Sequence, residues 1–211
     1  PTKTALVKVG GGSLKLTGAN TYSNGTIVAE GALLLSNTSG SGAGSGTVLV
    51  NAGATLGGNG SFTGSVTVNP GGHIAPGEST GTLGTGDLML LGGSLLDIEI
   101  SPTACDMLDV SGEVSLTGAI LNLDVTGEFA SYGGTEYMII RNDKADDVVG
   151  AFADLDEGDR FEVGAAQFAI SYIGGDGNDV VLTAVPEPLS ISLLTLAVGG
   201  LGGYLRRRNR R

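Results

Sequence analysis

The chain has 211 residues, of which 22 are acidic and 11 are Lys or Arg, so its formal net charge is −11. Five of the basic residues lie after position 205, which leaves 21 acids against 6 Lys and Arg in residues 1–185. This acidic body excludes nucleic acid as a partner, because phosphates require positive charge. One cysteine, Cys105, excludes an internal disulfide, and the single histidine, His73, has no partner in the sequence for a catalytic triad or a zinc site. We therefore expect a protein that is not an enzyme and that requires no cofactor.

Short strands and glycine turns alternate from about residue 7 to residue 125. The turn glycines are separated by 22, 19, 21 and 25 residues, at Gly31, Gly53, Gly72, Gly93 and Gly118. This period is too long for hairpins with tight loops, and it matches one coil of a β-solenoid. We therefore predict an all-β chain in which residues 1–126 form a parallel β-helix. A β-sandwich also uses short strands with frequent turns, and it is the alternative fold.

Residues 6–35 carry the most regular part of this pattern. The spacing Leu-x-Leu-x-Gly-x-Asn-x-Tyr-x-x-x-Thr-x-Val is made by Leu14, Leu16, Gly18, Asn20, Tyr22, Thr26 and Val28. It resembles the autotransporter-associated β-strand repeat. The resemblance implies a right-handed parallel β-helix on an exported protein, and it implies architecture rather than chemistry. We expect a signal peptide and further repeats before Pro1 in the exported protein.

Residues 127–183 have a different sequence pattern, because acidic residues cluster among the candidate strands. The four candidate strands are 137–140, 160–163, 167–172 and 180–182. A solenoid needs an atypical terminal unit that keeps its open end from pairing with another chain. We therefore predict that residues 127–183 form a β-rich cap. Residues 174–182 fit one calcium-binding nonapeptide, with Asp176 and Asp179 as candidate ligands. Because a second copy is absent from the sequence, a glycine-rich turn that enters the last strand is the alternative.

The end of the chain contains three consecutive segments. Residues 184–188 include two prolines, which favour a stiff and extended stem. The next 17 residues, 189–205, are uncharged and mostly apolar. As a helix they would rise about 25 Å, within the usual range for a membrane span. We predict one C-terminal transmembrane helix, followed at 206–211 by a cytoplasmic tail. Its cations are Arg206, Arg207, Arg208, Arg210 and Arg211.

This tail resembles the PEP-CTERM sorting signal of Gram-negative bacteria. The resemblance implies that Pro186, Glu187 and Pro188 are recognised by an exosortase, a membrane-embedded cysteine transpeptidase. The terminal arginines would then hold the chain in the inner membrane before processing, and the mature protein would reach the cell surface or the extracellular matrix. An ordinary C-terminal anchor with a rigid stem is the alternative.

The sorting family implies a structural or adhesive role in exopolysaccharide or biofilm. An autotransporter passenger shares the repeat, but it would end in a β-barrel translocator rather than in an apolar run and arginines, so we expect no self-translocation. A calcium-dependent adhesin is the second alternative function. A β-helix polysaccharide lyase is the third, and it is disfavoured because the Lys and Arg residues of the body fall in no repeated register beside acids.

Overall fold

The computed structural model describes residues 4–129, 131–143 and 146–186. Within these ranges the secondary structure consists of strands, and no helix has the length and apolar character that a membrane crossing requires. The predicted transmembrane segment 189–205, the arginine tail 206–211, and Glu187 and Pro188 lie outside the described residues.

Two sheets of parallel strands run side by side along the chain. The first sheet contains, in spatial order, β1 (Leu6–Lys8), β3 (Thr26–Val28), β5 (Val48–Val50), β7 (Val66–Val68), β10 (Leu88–Leu90) and β14 (Val114–Ser115). The second sheet contains β2 (Ser13–Leu16), β4 (Gly31–Leu35), β6 (Ala54–Gly58), β8 (His73–Pro76), β11 (Leu95–Ser101) and β15 (Ile120–Val125). A short strand, β12 (Ala104–Cys105), pairs antiparallel with the end of β11.

A third sheet was not predicted from the sequence. It begins with three parallel strands, β9 (Thr82–Thr85), β13 (Met107–Val110) and β16 (Glu136–Arg141). It continues with three antiparallel strands, β19 (Asp179–Ala184), β18 (Ala166–Gly174) and β17 (Arg160–Val163). Strand β16 lies in the region that we assigned to the cap, yet it is parallel to β13.

The chain forms a β-solenoid of about five turns, because it alternates between the first and second sheets coil by coil, and the last three coils each add a strand to the third sheet. Leu33 of β4 is in register with Leu14 of β2 on one side and with Leu56 of β6 on the other. The predicted all-β solenoid is therefore confirmed, and the parallel pairing rules out the β-sandwich. The right-handed sense of the coil stays a prediction of the resemblance.

Alternate residues of each strand point into one continuous core. Leu33, Leu56, Ile74 and Leu96 lie on successive rungs of the second sheet, and each is fully buried. A fully buried leucine or isoleucine stabilises a fold by about 1.5–3 kcal/mol. A strand of three residues buries too few such side chains alone, so stability comes from the stack.

A column of glycines forms the corner between the first two sheets. Gly53, Gly71, Gly93 and Gly118 have φ of +72°, +74°, +82° and +72°. The Gly53, Gly71 and Gly93 amides each donate to the next glycine carbonyl, over 2.7–2.9 Å. Left-handed backbone strains residues with a Cβ, so the corner selects glycine. The predicted spacing of the corner glycines was therefore correct, but two of the predicted positions were wrong by one residue. Gly31 pairs with Ala54 rather than with Gly53, and the corner glycine of the next coil is Gly71 rather than Gly72.

Candidate functional site

Two open grooves meet at Asp109 on the outside of the third sheet. One has a volume of about 670 Å³ and the other about 540 Å³. Hydroxyl, carboxamide and charged side chains line most of both, and we call the pair the axial groove.

Four residues on successive rungs form the floor of the axial groove. Ser61 bridges to Gly84, Gly84 pairs with Asp109, and Asp109 pairs with Arg141. Strands lie about 4.8 Å apart, so these four rungs span about 14 Å along the solenoid axis. A Cβ on Gly84 would lie 2.8 Å from the Ser61 Cβ, closer than side chains tolerate. Glycine at this position therefore keeps the floor open.

Two ion pairs cross the groove from coil to coil. Arg141 binds Asp109 with two hydrogen bonds, Nε to Oδ1 at 2.9 Å and Nη2 to Oδ2 at 2.6 Å, and this carboxylate raises the pKa of Arg141. At the other end, Lys15 Nζ lies 2.7 Å from Glu78 Oε2, and Ser36 donates to the second oxygen of Glu78. These two donors, Lys15 first, lower the pKa of Glu78. Glu78 is therefore held ionised at neutral pH, and the hydrogen bonds hold both carboxylates in fixed orientations.

Asn37 fixes the wall of the groove. Its side chain is 5% exposed. Nδ2 donates to the carbonyls of Gly40 at 2.9 Å and Ser61 at 3.0 Å, and Oδ1 accepts the Ser61 amide at 3.2 Å. The carboxamide therefore replaces a missing stretch of strand pairing between two coils.

The structure brings Asp176 and Asp179, the predicted calcium ligands, to the same end of the groove as Arg141. Asp176 lies in the turn between β18 and β19, and Asp179 is the first residue of β19. Asp179 is 2% exposed; its Oδ1 accepts the Asn142 amide at 2.8 Å and its Oδ2 the Asp176 amide at 3.4 Å. Asp179 therefore braces a glycine-rich turn. Across the described ranges, no group of three or more His, Cys, Asp or Glu residues is placed to hold a metal ion. Calcium binding stays a prediction.

A polar chain on the second sheet was missed by sequence reasoning. His73 Nδ1 lies 2.7 Å from Asp97 Oδ2, and Asn122 Nδ2 donates to Asp97 Oδ1 over 2.8 Å. The three residues are about one coil apart in sequence, so only the register of the stack reveals the contact. They lie on β8, β11 and β15, outside the axial groove.

Cys105 and Asp106 both lie in desolvated surroundings. Burial raises the pKa of the Cys105 thiol to about 11, so the thiol is protonated and unreactive at neutral pH. Asp106 is 1% exposed, and it accepts the amides of Gly81 at 2.7 Å and Glu99 at 2.8 Å. Burial raises the pKa of Asp106 to about 6. Asp109, three positions further along the chain, has a different partner, because it binds Arg141 in the axial groove.

A model of the passenger-associated-transport-repeat family matches residues 6–35, which are 30 of the 211 residues. No curated protein matches the chain. The match confirms the autotransporter-associated repeat predicted for this segment, and the repeat together with the solenoid fits an exported, surface-displayed protein.

The structure explains the residues of this repeat. Leu14 and Leu16 pack against the core from β2. Asn20 Nδ2 donates to the Gly42 carbonyl at 2.6 Å, and buried Thr26 donates to the Ala43 carbonyl at 3.3 Å. Each of these contacts joins one coil to the next or to the core, so the repeat specifies stacking.

Proposed function

We propose that the chain is an exported, non-catalytic surface or matrix protein, and that the axial groove contacts an exopolysaccharide. The observation that carries this proposal is the floor of four consecutive rungs, Ser61, Gly84, Asp109 and Arg141. A linear polymer of sugars can follow such a floor along the solenoid axis.

The chemistry of the lining favours a neutral polysaccharide. Five carboxylates and two cations line the axial groove, the cations being Lys15 and Arg141. An anionic polymer would be repelled by this excess and by the acidic body. Hydroxyl and carboxamide groups such as Ser36, Asn59 and Thr82 can exchange hydrogen bonds with sugar hydroxyls.

Arg141→Gln tests the groove, and Arg160→Gln is its matched control. Both arginines lie on strands of the third sheet, but Arg160 is exposed on β17, outside the axial groove. Hydrogen bonds to charged groups contribute about 1.5–3 kcal/mol, so Arg141→Gln should weaken binding about tenfold or more. Isothermal titration against a neutral and an anionic exopolysaccharide measures both variants. Equal affinities of the two variants, or no binding by the wild type, would contradict the proposal.

The tail supports a second part of the proposal, in which the chain is sorted by an exosortase. Val185 still donates to the Gln167 carbonyl at 2.8 Å, and Pro186 is exposed directly after it. The first residue of the predicted Pro-Glu-Pro motif therefore lies two residues after the end of β19. In this mechanism the terminal arginines stop transfer, residues 189–205 hold the chain in the inner membrane, and Pro186, Glu187 and Pro188 present an extended strand for cleavage.

The intact mass of the C-terminus tests sorting, in a host with the cognate exosortase and in one without it. We expect loss of the residues beyond about Pro188 only where the exosortase is present. Retention of Arg211 in both hosts would leave a plain membrane anchor and would end the sorting proposal. The polysaccharide assay is unaffected by this result.

A further inference from the structure

The outer face of the first sheet carries most of the exposed large hydrophobic side chains. In the described part of the chain, seven such residues are exposed. Five of them lie on this face: Val7, Val9, Ile27, Met89 and Val149. Concentration of exposed apolar residues on one face of a soluble body marks an interaction surface.

Most of these residues form a single straight row. The pairing register places on successive rungs Val7, Ile27, Leu49, Thr67, Met89, Ser115 and Val149. We call this set the apolar row; five of its seven members are apolar. Its six intervals of about 4.8 Å give a length of about 29 Å.

The flanks of the apolar row are uncharged over its first half. Residues two positions away on a strand point to the same face, so Thr47 and Asn51 flank Leu49, and Ser65 and Asn69 flank Thr67. The charged flanking residues lie in the second half, at Asp87, Glu113 and Asp147. In a body with 21 acids and 6 Lys and Arg, an uncharged stretch of this length is unusual.

We propose that this face packs against the same face of a second copy of the chain. Including its flanks, the face is five residues, or about 16 Å, wide and about 29 Å long, so a dimer would bury roughly 950 Å², close to the roughly 1,000 Å² that specific interfaces need. Two flat sheets pack face to face about 10 Å apart. Because the body is strongly acidic, a second copy meets the least repulsion at this face.

The two copies are antiparallel, related by a two-fold axis at Thr67. Thr67 is the middle member of the apolar row, so it faces its own copy, Leu49 faces Met89, and Val7 faces Val149. A parallel arrangement would instead place the charged flanks of both copies, Asp87, Glu113 and Asp147, at the same end of the interface. An isologous contact of this kind closes at two copies and does not extend into a filament. The groove on the third sheet stays open in such a dimer.

Thiol cross-linking of the full chain with a short bismaleimide, which spans the gap between two packed sheets, tests the interface in a Cys105→Ser background. Thr67→Cys places a thiol at the axis, and Thr55→Cys is its control. Both threonines are half-buried, point outward and lie inside a strand, but Thr55 lies on the second sheet. A dimer raises the local thiol concentration, so Thr67→Cys should cross-link about tenfold faster than Thr55→Cys.

Ile27→Glu added to Thr67→Cys provides the second measurement. It places a carboxylate in the apolar row, and it should reduce the cross-linking rate to that of Thr55→Cys. Association driven by the tail would cross-link the two cysteine variants equally, and that result would overturn the proposal. Cross-linking of Thr67→Cys that Ile27→Glu leaves unchanged would also overturn it.

Discussion

Asn37→Asp should destabilise the solenoid far more than its single-atom change suggests. The Asn37 Nδ2 donates to the carbonyls of Gly40 and Ser61, at 2.9 and 3.0 Å, inside a site that is 5% exposed. In aspartate this nitrogen becomes an oxygen, which faces the two carbonyl oxygens without a proton to share. The Ser61 amide keeps its acceptor, so the variant isolates the loss of the two donors.

The expected cost is about 3–5 kcal/mol at neutral pH. Each lost hydrogen bond contributes about 1 kcal/mol, and holding the new carboxylate oxygen without a donor in this buried position adds about 1–3 kcal/mol. Burial and the two carbonyl oxygens raise the pKa of the new carboxyl above its unfolded value. The sign follows from linkage: the folded state binds the proton more tightly, so the variant recovers stability as the pH falls through the folded pKa.

Asn59→Asp is the matched control, because Asn59 lies in the next coil and lines the same groove but is exposed. Urea unfolding followed by far-ultraviolet circular dichroism gives the two midpoints, and equal slopes allow them to be compared as free energies. We expect Asn59→Asp to stay within about 0.5 kcal/mol of the wild type. If Asn37→Asp matches it, the carboxamide does not join the coils as argued.

Three further predictions concern the stack. In Gly53→Ala the new Cβ has no atom within 4 Å, so the expected loss of stability, about 1 kcal/mol, comes from the φ of +72° alone. Gly11→Ala is the control: its Cβ has equally open space and its φ is not positive, so it should be near neutral in the same unfolding assay. Leu56→Ala should lower the free energy of unfolding by about 2–5 kcal/mol, because Leu56 is fully buried. Leu34 is half-buried on the outer face, so Leu34→Ala should lower it by less than about 1.5 kcal/mol. Equal losses would contradict the inward direction of Leu56. Because burial raises the Asp106 pKa to about 6 in the folded state, its contribution favours folding increasingly as the pH falls from there towards 3.8. The wild type should gain stability relative to Asp106→Asn over that interval, and parallel pH profiles would refute this.

Sequence pattern predicted the stack well because the stacking signal is local. Alternating apolar residues and a glycine about every coil are visible in one dimension, and both follow from short strands and a corner of positive φ. The third sheet escaped because its strands follow irregular connections. Thr82–Thr85 contains threonine and glycine in place of an apolar alternation, and residues 101–106 interrupt the coil before Met107–Val110. The same irregularity hid β16 among the cap residues.

The axial groove was not predicted from the sequence, although two residues of its lining were singled out as candidate calcium ligands. Asp176 and Asp179 were recognised through a glycine-aspartate motif, and the structure does bring them to the groove. The Asp109–Arg141 pair is separated by 32 positions, and Lys15 and Glu78 by 63. These distances correspond to one and three coils, and no sequence pattern states which residues of different coils share a rung.

The sequence by itself determined that the chain is an acidic all-β solenoid, because strand length, glycine spacing and charge are properties of neighbouring residues. It also predicted the tail, since an apolar run and terminal arginines have physical consequences independent of the fold. The tertiary structure alone decided which side chains meet: His73 with Asp97, Asp109 with Arg141, and the members of the apolar row with one another. Each coil has its own length, from 18 to 26 residues between paired strands of the first sheet, so register across coils is set by packing of the whole stack.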